Sequence, residues 1–366
     1  MGLSASTADA AAVFPYAQTN LVSNLSGVAP VLDSNLQNPW GVSESATSPL
    51  WISNQAAGVA TLYTLNGLSA TRAGGPLVVP IPAPGPTGQV NNNTTSFVIT
   101  QTGTPTAAHF IFANLNGGIY AWAAAPNPAQ LQVTTAGASY TGLAIAGTTS
   151  APLLYAANNA AGTIDVFNGS FVHVASFADS GFPNLVPFNV QNVGGTIYVT
   201  FAPAGHSAQT TATVGAVAIL NPDGTFTTVS TGSDLAAPWG IALAPANFGP
   251  FSDDLLVGNF AYGTNPLTGM INPLGGEINA YNPTTGAFLG TLDSNSAWEG
   301  LWALTFGSGS ASGGSADILY FTTGLGSETN GLFAALSVVP EPSSLALLAA
   351  ALALFGVRRA RSRRRV

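Results

Sequence analysis

Three short strands followed by a turn recur about six times along this chain. A unit that small cannot bury both of its faces unless it packs against further copies of itself. Each copy opens with an apolar strand, adds a second strand that often ends at Asn, and starts a third at Gly. The first copy runs Trp40-Gly41-Val42, Leu50-Trp51-Ile52-Ser53-Asn54, then Gly58 to Gly67. The second has Phe97-Val98-Ile99, Phe110 to Asn114, and Gly118 to Trp122; the third has Leu143-Ala144-Ile145, Leu153 to Asn158, and Gly162 to Phe167. Copies four to six begin at Phe188, Trp239 and Leu301-Trp302, and the fourth and sixth keep the pattern less strictly.

First-strand positions 40, 97, 143, 188, 239 and 302 lie 57, 46, 45, 51 and 63 residues apart, near the period of propeller blades with loop insertions. The strands alternate and favour Val, Ile, Tyr, Phe and Thr, as a half-buried pleated surface does. Asn221-Pro222-Asp223-Gly224 and Asn282 to Gly286 carry hairpin turn chemistry. The pattern predicts an all-β fold: a single six-bladed β-propeller, with five or seven blades still open, followed by one short C-terminal hydrophobic helix. A pair of β-sandwich domains is the rival architecture. Tyr16 to Val22 alternates like a strand and is expected to supply the outer strand of the sixth blade. Gly74–Gly88 reads as a surface loop and Gly307–Ser315 as a flexible one.

This divides the chain into a disordered segment 1–15, a propeller 16–337 and a tail 338–366. The tail reads Val339-Pro340-Glu341-Pro342, then thirteen uncharged residues from Leu345 to Val357, then Arg358, Arg359, Arg361, Arg363, Arg364 and Arg365. As a helix the apolar run spans about 20 Å, short of the ~30 Å hydrocarbon core unless Arg snorkelling extends its reach. Arg on the cytoplasmic side and an acidic body beyond the membrane obey the positive-inside asymmetry.

Motif, helix and Arg run, in that order, resemble the PEP-CTERM sorting domain of Gram-negative bacteria. The resemblance implies an exosortase as processing partner and transient anchoring in the inner membrane through the helix. It also implies delivery to the cell surface or extracellular matrix, where polysaccharide is a further partner. The region 16–337 also resembles a family of bacterial propeller proteins that often bear this tail, which supports the fold and carries no activity. Export needs a signal peptide, and none is evident in residues 1–18, so one is expected upstream of Met1.

Charge narrows the function classes. The net charge is -8, there is no Lys, and up to residue 340 Arg72 is the sole base against fourteen acids. Such a surface repels nucleic acid, and a Walker A loop is excluded with its Lys. With no Cys there is neither a disulfide framework nor a thiol nucleophile. His109, His173 and His206 fall in different registers of their repeats and are not expected to converge on one site. No catalytic residue is assigned. Glu44, Glu299 and Glu328 are candidate Ca²⁺ ligands, because hard cations gather oxygen donors; as solvated turn residues they would bind nothing. Otherwise no cofactor is expected. Trp40 and Trp239, in the triplets Pro39-Trp40-Gly41 and Pro238-Trp239-Gly240, read as core anchors, with sugar stacking as the alternative. Two functions remain open: an exported binding or structural propeller, and a metal-assisted hydrolase or lactonase of the six-bladed type. Tunnel walls of Ala, Gly and Thr would favour the first. Three or more carboxylate or amide oxygens converging in the tunnel would favour the second.

Overall fold

The computed structural model describes residues 15–73, 77–205, 214–232, 234–261, 276–292 and 298–339. Six antiparallel sheets stand around a common axis, each beginning with an inner strand. Blade 1 is built from Pro39–Ser43, Leu50–Asn54, Val59–Asn66 and Ser69–Arg72, from the axis outward. Blade 2 comprises Pro86–Asn91, Phe110–Asn114, Gly118–Trp122 and Gln130–Thr134. Blades 3 and 4 start at Tyr140–Thr148 and Leu185–Val193, and blade 5 starts at Pro238–Leu243. Blade 6 holds Leu301–Phe306, Leu319–Thr323 and Leu332–Val338.

The N-terminal strand Tyr16–Ser23 completes that last blade, pairing antiparallel with Leu332–Val338 from Tyr16↔Val338 to Ser23↔Leu332. The ring is therefore latched by both ends of the chain, as the alternation at Tyr16 to Val22 predicts. Closure removes the exposed edge that an open sixth blade would offer to other chains. Tyr16 adds a buried hydrogen bond from its hydroxyl to the Phe248 carbonyl, 2.8 Å, which ties the latch to blade 5.

Among the described residues, apolar side chains collect into seven clusters, and their placement follows from the ring. Six lie between neighbouring blades, such as Trp51, Phe110, Phe112 and Trp122 between blades 1 and 2, or Leu256, Ile278, Leu304 and Phe321 between blades 5 and 6. The seventh sits on the axis, where Trp40, Phe188, Trp239, Phe260 and Trp302 meet. A blade shows an apolar face on each side, so every interface buries two such faces at once.

Close approach at the axis sets the sequence there. A Cβ added to Gly88 would lie 2.5 Å from the Gly142 Cα, and one on Gly41 would lie 2.7 Å from the Thr87 carbonyl oxygen. Gly240 has the Leu304 amide nitrogen 2.9 Å from its missing Cβ. Glycine is needed at these positions because adjacent inner strands nearly touch.

This explains two departures from the sequence reading. The inner strand of blade 2 is Pro86–Asn91, not Phe97-Val98-Ile99, so the end of the Gly/Pro-rich stretch 74–88 is buried strand and not surface loop. Pro86 starts the strand, where a missing N–H costs little, and Gly88 fits the crowded axis. Residues Val98–Thr100 pair instead with Pro105–Ala107 in a separate hairpin. That hairpin buries Phe97 and Ile99 in the cluster shared by blades 2 and 3. The second departure is Gly307–Ser315, which is pinned rather than flexible. Ser308 and Gly309 donate to Gly313 and Gly314, and the Leu65 amide of blade 1 donates to Ser312 at 2.9 Å. Residues 1–14 and the C-terminal helix predicted from Leu345 lie outside the described residues.

Candidate functional site

All six inner strands run the same way along the axis, so their starts define one mouth of the tunnel and their ends the other. At the first mouth the tunnel is plugged. Trp40 and Trp302 stack with ring centroids 3.6 Å apart, Phe260 lies 3.9 Å from Trp302, and Trp239 meets Trp302 edge-on at 5.7 Å. The indole nitrogen of Trp302 donates to Asn38 Oδ1 at 2.9 Å. Trp40 and Trp239 are therefore core anchors: at 1% and 3% exposed they offer no surface to a sugar. The Pro-Trp-Gly triplet has a physical reading. Proline starts the strand, tryptophan fills the axis, and glycine lets the next inner strand approach.

Around the plug, hydrogen bonds tie several described loop residues together. Asn38 Nδ2 donates to Gln55 Oε1 at 3.0 Å and to Glu328 Oε2 at 3.1 Å. Glu299 accepts the amides of Gly326 and Ser327, 3.1 and 3.2 Å, in a turn where residues 326–328 have φ between 54° and 66°. Its carboxylate thus caps a left-handed turn whose N–H groups converge on it.

The other mouth opens into a funnel of about 310 Å³ whose wall includes Glu44, Gln89, Asn91, Asn93, Gln191 and Asn192. Small residues line its narrow part: Gly41, Gly88 and Ala303. Carboxamides widen it, and most are engaged with neighbouring blades. Asn189 donates to the Trp239 carbonyl at 2.9 Å, Asn192 to the Ile145 carbonyl at 2.8 Å, and Gln89 to the Trp51 carbonyl at 2.6 Å. Inner strands have one unpaired edge facing the axis, and Asn189 and Asn192 satisfy part of it on blades 5 and 3. The Ser43 hydroxyl is buried without a hydrogen-bond partner. Gly and Ala line the narrow part, and the carboxamide oxygens of Gln89, Asn189 and Asn192 accept from Ser53 Oγ and from the Val190 and Gly195 amides.

Glu44 stands at the funnel rim and accepts a hydrogen bond from Ser308 Oγ at 3.2 Å. Burial pushes its carboxyl up to about 7 against the opposing hydrogen bonds from Ser308. The three glutamates do not come together. Glu328 is bonded to Asn38, just before the inner strand Pro39–Ser43, and Glu44 follows that strand's far end, roughly 20 Å away at ~3.3 Å per residue. Among the described residues no three His, Asp or Glu side chains are grouped to hold a metal ion.

The histidines are also apart. His109 is exposed beside Trp122 with centroids 6.1 Å apart, whereas His173 sits on the third blade within 2.9 Å of Ser176 Oγ. His206 lies outside the described residues. Arg72 is paired with Asp33, which also accepts from Tyr63 at 2.6 Å. Burial opposes the Asp33 charge, but hydrogen bonds from Tyr63 and the Asn35 amide, with Arg72 beside it, hold the carboxyl below its usual range.

Asn91, Asn93 and Gln191 were not singled out by sequence. The signal for Asn91 and Asn93 was position at the end of an inner strand, which required recognising Pro86–Asn91 as one, whereas Gln191 lies inside the inner strand Leu185–Val193.

Residues 338–364 match the PEP-CTERM protein-sorting motif. That match starts on the last residue of the closing strand and covers the run Val339, Pro340, Glu341, Pro342, of which Pro340 onward lies outside the described residues, as does the whole Arg cluster. Among the described residues no helix is long and apolar enough to cross a membrane. Two curated proteins of Acanthamoeba polyphaga mimivirus are similar to the chain. Uncharacterized protein R648 is 29% identical over 264 residues, 66% of this chain and 64% of that protein. Uncharacterized protein R640 is 29% identical over 189 residues, 47% of this chain and 35% of its own length. The chain thus spans less than two thirds of either relative. Among solved structures, hydrazine synthase of Kuenenia stuttgartiensis aligns with a TM-score of 0.49 at 15% identity, over 81% of this chain and 76% of that one. The chain carries a PEP-CTERM sorting motif on a six-bladed propeller, and the motif implies export by way of an exosortase.

Proposed function

We propose that this protein is an exported propeller that serves as a binding or structural component of the cell surface or extracellular matrix. In this reading it is held briefly in the inner membrane by its C-terminal helix before an exosortase acts on the tail. The observation that carries the reading is the sorting motif at residues 338–364. It begins where the ring ends, since Val338 pairs with Tyr16 and the Val339 amide donates to the Pro15 carbonyl at 2.8 Å. With only residues 340–344 between Val339 and the apolar run from Leu345, the tail would hold the ring close to whatever that run enters.

Register says which face that is. Phe306 pairs with Leu319 and Leu319 with Leu336, so Val338 leaves the ring on the funnel side. An anchored molecule would then turn its funnel toward the membrane and its plugged face outward, and release of the tail would free the funnel. Cell fractionation in a host with and without its exosortase tests the proposal. The body should reach the surface or matrix fraction when the enzyme is present and remain with the membrane when it is absent. Recovery from the cytosol in both strains would refute it.

A further inference from the structure

The exposed apolar side chains are not shared evenly between the two faces of the ring. Inner and third strands run toward the funnel, so the turns that follow them, and the first residues of the fourth strands, surround its mouth. Ten large apolar side chains are exposed among the described residues, and eight of them stand on this face. Leu68 lies in the turn after Val59–Asn66 of blade 1, and Leu131 near the start of Gln130–Thr134 of blade 2. Val172 and Val174 flank the start of His173–Phe177 in blade 3, while Phe288 and Leu289 open the fourth strand of blade 5. Leu243 ends an inner strand, and Val98 sits in the hairpin that follows another. The plug face keeps two, Leu25 and Leu32, beside the plug-side end of Tyr16–Ser23.

Half of this apolar crown forms one stretch. Gln130 Nε2 donates to the Thr100 carbonyl at 3.2 Å, and the Phe97 amide donates to the Gly169 carbonyl at 2.6 Å. The hairpin that carries Val98 therefore bridges Leu131 on blade 2 to Val172 on blade 3. Between residues 73 and 178 there is no Lys, Arg or Glu, and the one Asp, Asp165, is buried. Single apolar residues scattered over a surface need no explanation. Eight around one mouth, four of them in a sector without an exposed carboxylate, mark an interaction face.

The tail says what meets that face. Val338 leaves the ring on the funnel side, and residues 340–344 span at most about 17 Å. An apolar run held in a bilayer thus keeps the crown within reach of the bilayer's interface. The tail departs from blade 6, which stands opposite blade 3 in the ring, so tail and blade 3 would support the ring at opposite edges. Charge sets the kind of lipid. Asp223, Asp253 and Asp317 are exposed in funnel-side turns, and the ring's single Arg, Arg72, is paired with Asp33. Such a face repels anionic lipid and suits zwitterionic headgroups.

We propose that the funnel face is a membrane-docking surface, whose apolar crown rests in the interface of a zwitterionic phospholipid bilayer. This rests on the anchored state described above and adds to it a second contact, made by the ring itself.

Because the protein has no cysteine, single labels report on each face. The full chain carrying Val172→Cys or Leu32→Cys, labelled with the fluorophore NBD, is mixed with phosphatidylcholine–phosphatidylethanolamine vesicles that contain a nitroxide-bearing phosphatidylcholine. Flotation with the vesicles reports the anchor, and quenching reports the face. The label at position 172 should be quenched at least threefold more than the label at position 32. Exchanging half of the lipid for phosphatidylglycerol should reduce quenching at 172. Floating protein that is quenched equally at both positions, or at neither, overturns the docking face and spares the anchor. A blue shift at 172 without quenching would place a second copy of the chain on the face and also overturn it. Stronger quenching with phosphatidylglycerol overturns the zwitterionic class. Protein that fails to float refutes the anchored state, and the docking face with it.

Discussion

The two mouths of the tunnel are built by the same six strands and end in opposite chemistry. At the strand starts three tryptophans and two phenylalanines close the axis, and Asn38 ties Trp302 and Glu328 together beside them. At the strand ends the axis widens into amides, a glutamate and an unpartnered hydroxyl. The difference separates two jobs. The plug supplies rigidity through apolar contact, whereas the funnel trades apolar contact for polar groups that hold neighbouring blades and leave a few atoms over. Substitutions should therefore cost stability at the plug and spare it at the rim.

The largest effect is expected at Trp302, fully buried between Trp40 and Phe260 and hydrogen-bonded to Asn38. Trp302→Ala should lower stability by about 4 kcal/mol, read as a shift in the denaturation midpoint. Gly88→Ala tests the narrow part between the two mouths, where the added methyl meets the Gly142 backbone. A loss of about 3 kcal/mol is expected, and a neutral result would mean the inner strands are not packed as described.

Glu44 gives a pH signature. Its folded carboxyl is raised to about 7 from an ordinary 4.5, so folding favours its protonated form. The contribution is full below about pH 4.5 and is lost as pH rises through 7. After discounting for its partial exposure this amounts to about 1–2 kcal/mol. Glu44→Gln should flatten that slope in melting curves taken between pH 4.5 and 8. Asp33 runs the other way. Its carboxyl is lowered, so its contribution is present above the unfolded value of 3.8 and lost as pH falls below it. Asp33→Asn should blunt the acid side only. Asn93→Ala, at the rim, should change stability by no more than about 0.5 kcal/mol, which makes it the control against Trp302→Ala.

Much of this fold was legible in the sequence because propeller strands alternate and repeat. The second strands ending at Asn and the third strands opening at Gly match the blades closely, and the latch at Tyr16 showed as alternation outside the repeat. The second blade's inner strand did not show. Pro86-Thr87-Gly88 carries no aromatic or large aliphatic side chain, because the axis has no room for one at Gly88, so close packing erased the pattern that marks a strand elsewhere. The site was less legible for a related reason. Glu44, Glu299 and Glu328 are similar in sequence, yet one sits on the funnel and two beside the plug, and only the ring's geometry separates them. Ser43, Asn91 and Asn93 meet through strand register across two blades, which no local spacing encodes.

Everything rests on a ring closed by the chain's own start. Because the protein has no cysteine, Ala17→Cys with Ser337→Cys gives a background-free probe of that closure. These residues face each other across the latch, and opposed pairs in antiparallel strands lie within disulfide range. Oxidation should give an intramolecular crosslink in the monomer, seen by mass spectrometry, together with a higher melting temperature, and neither single variant should do so. A double variant that stays reduced, or crosslinks only between molecules, would contradict the latched six-bladed ring.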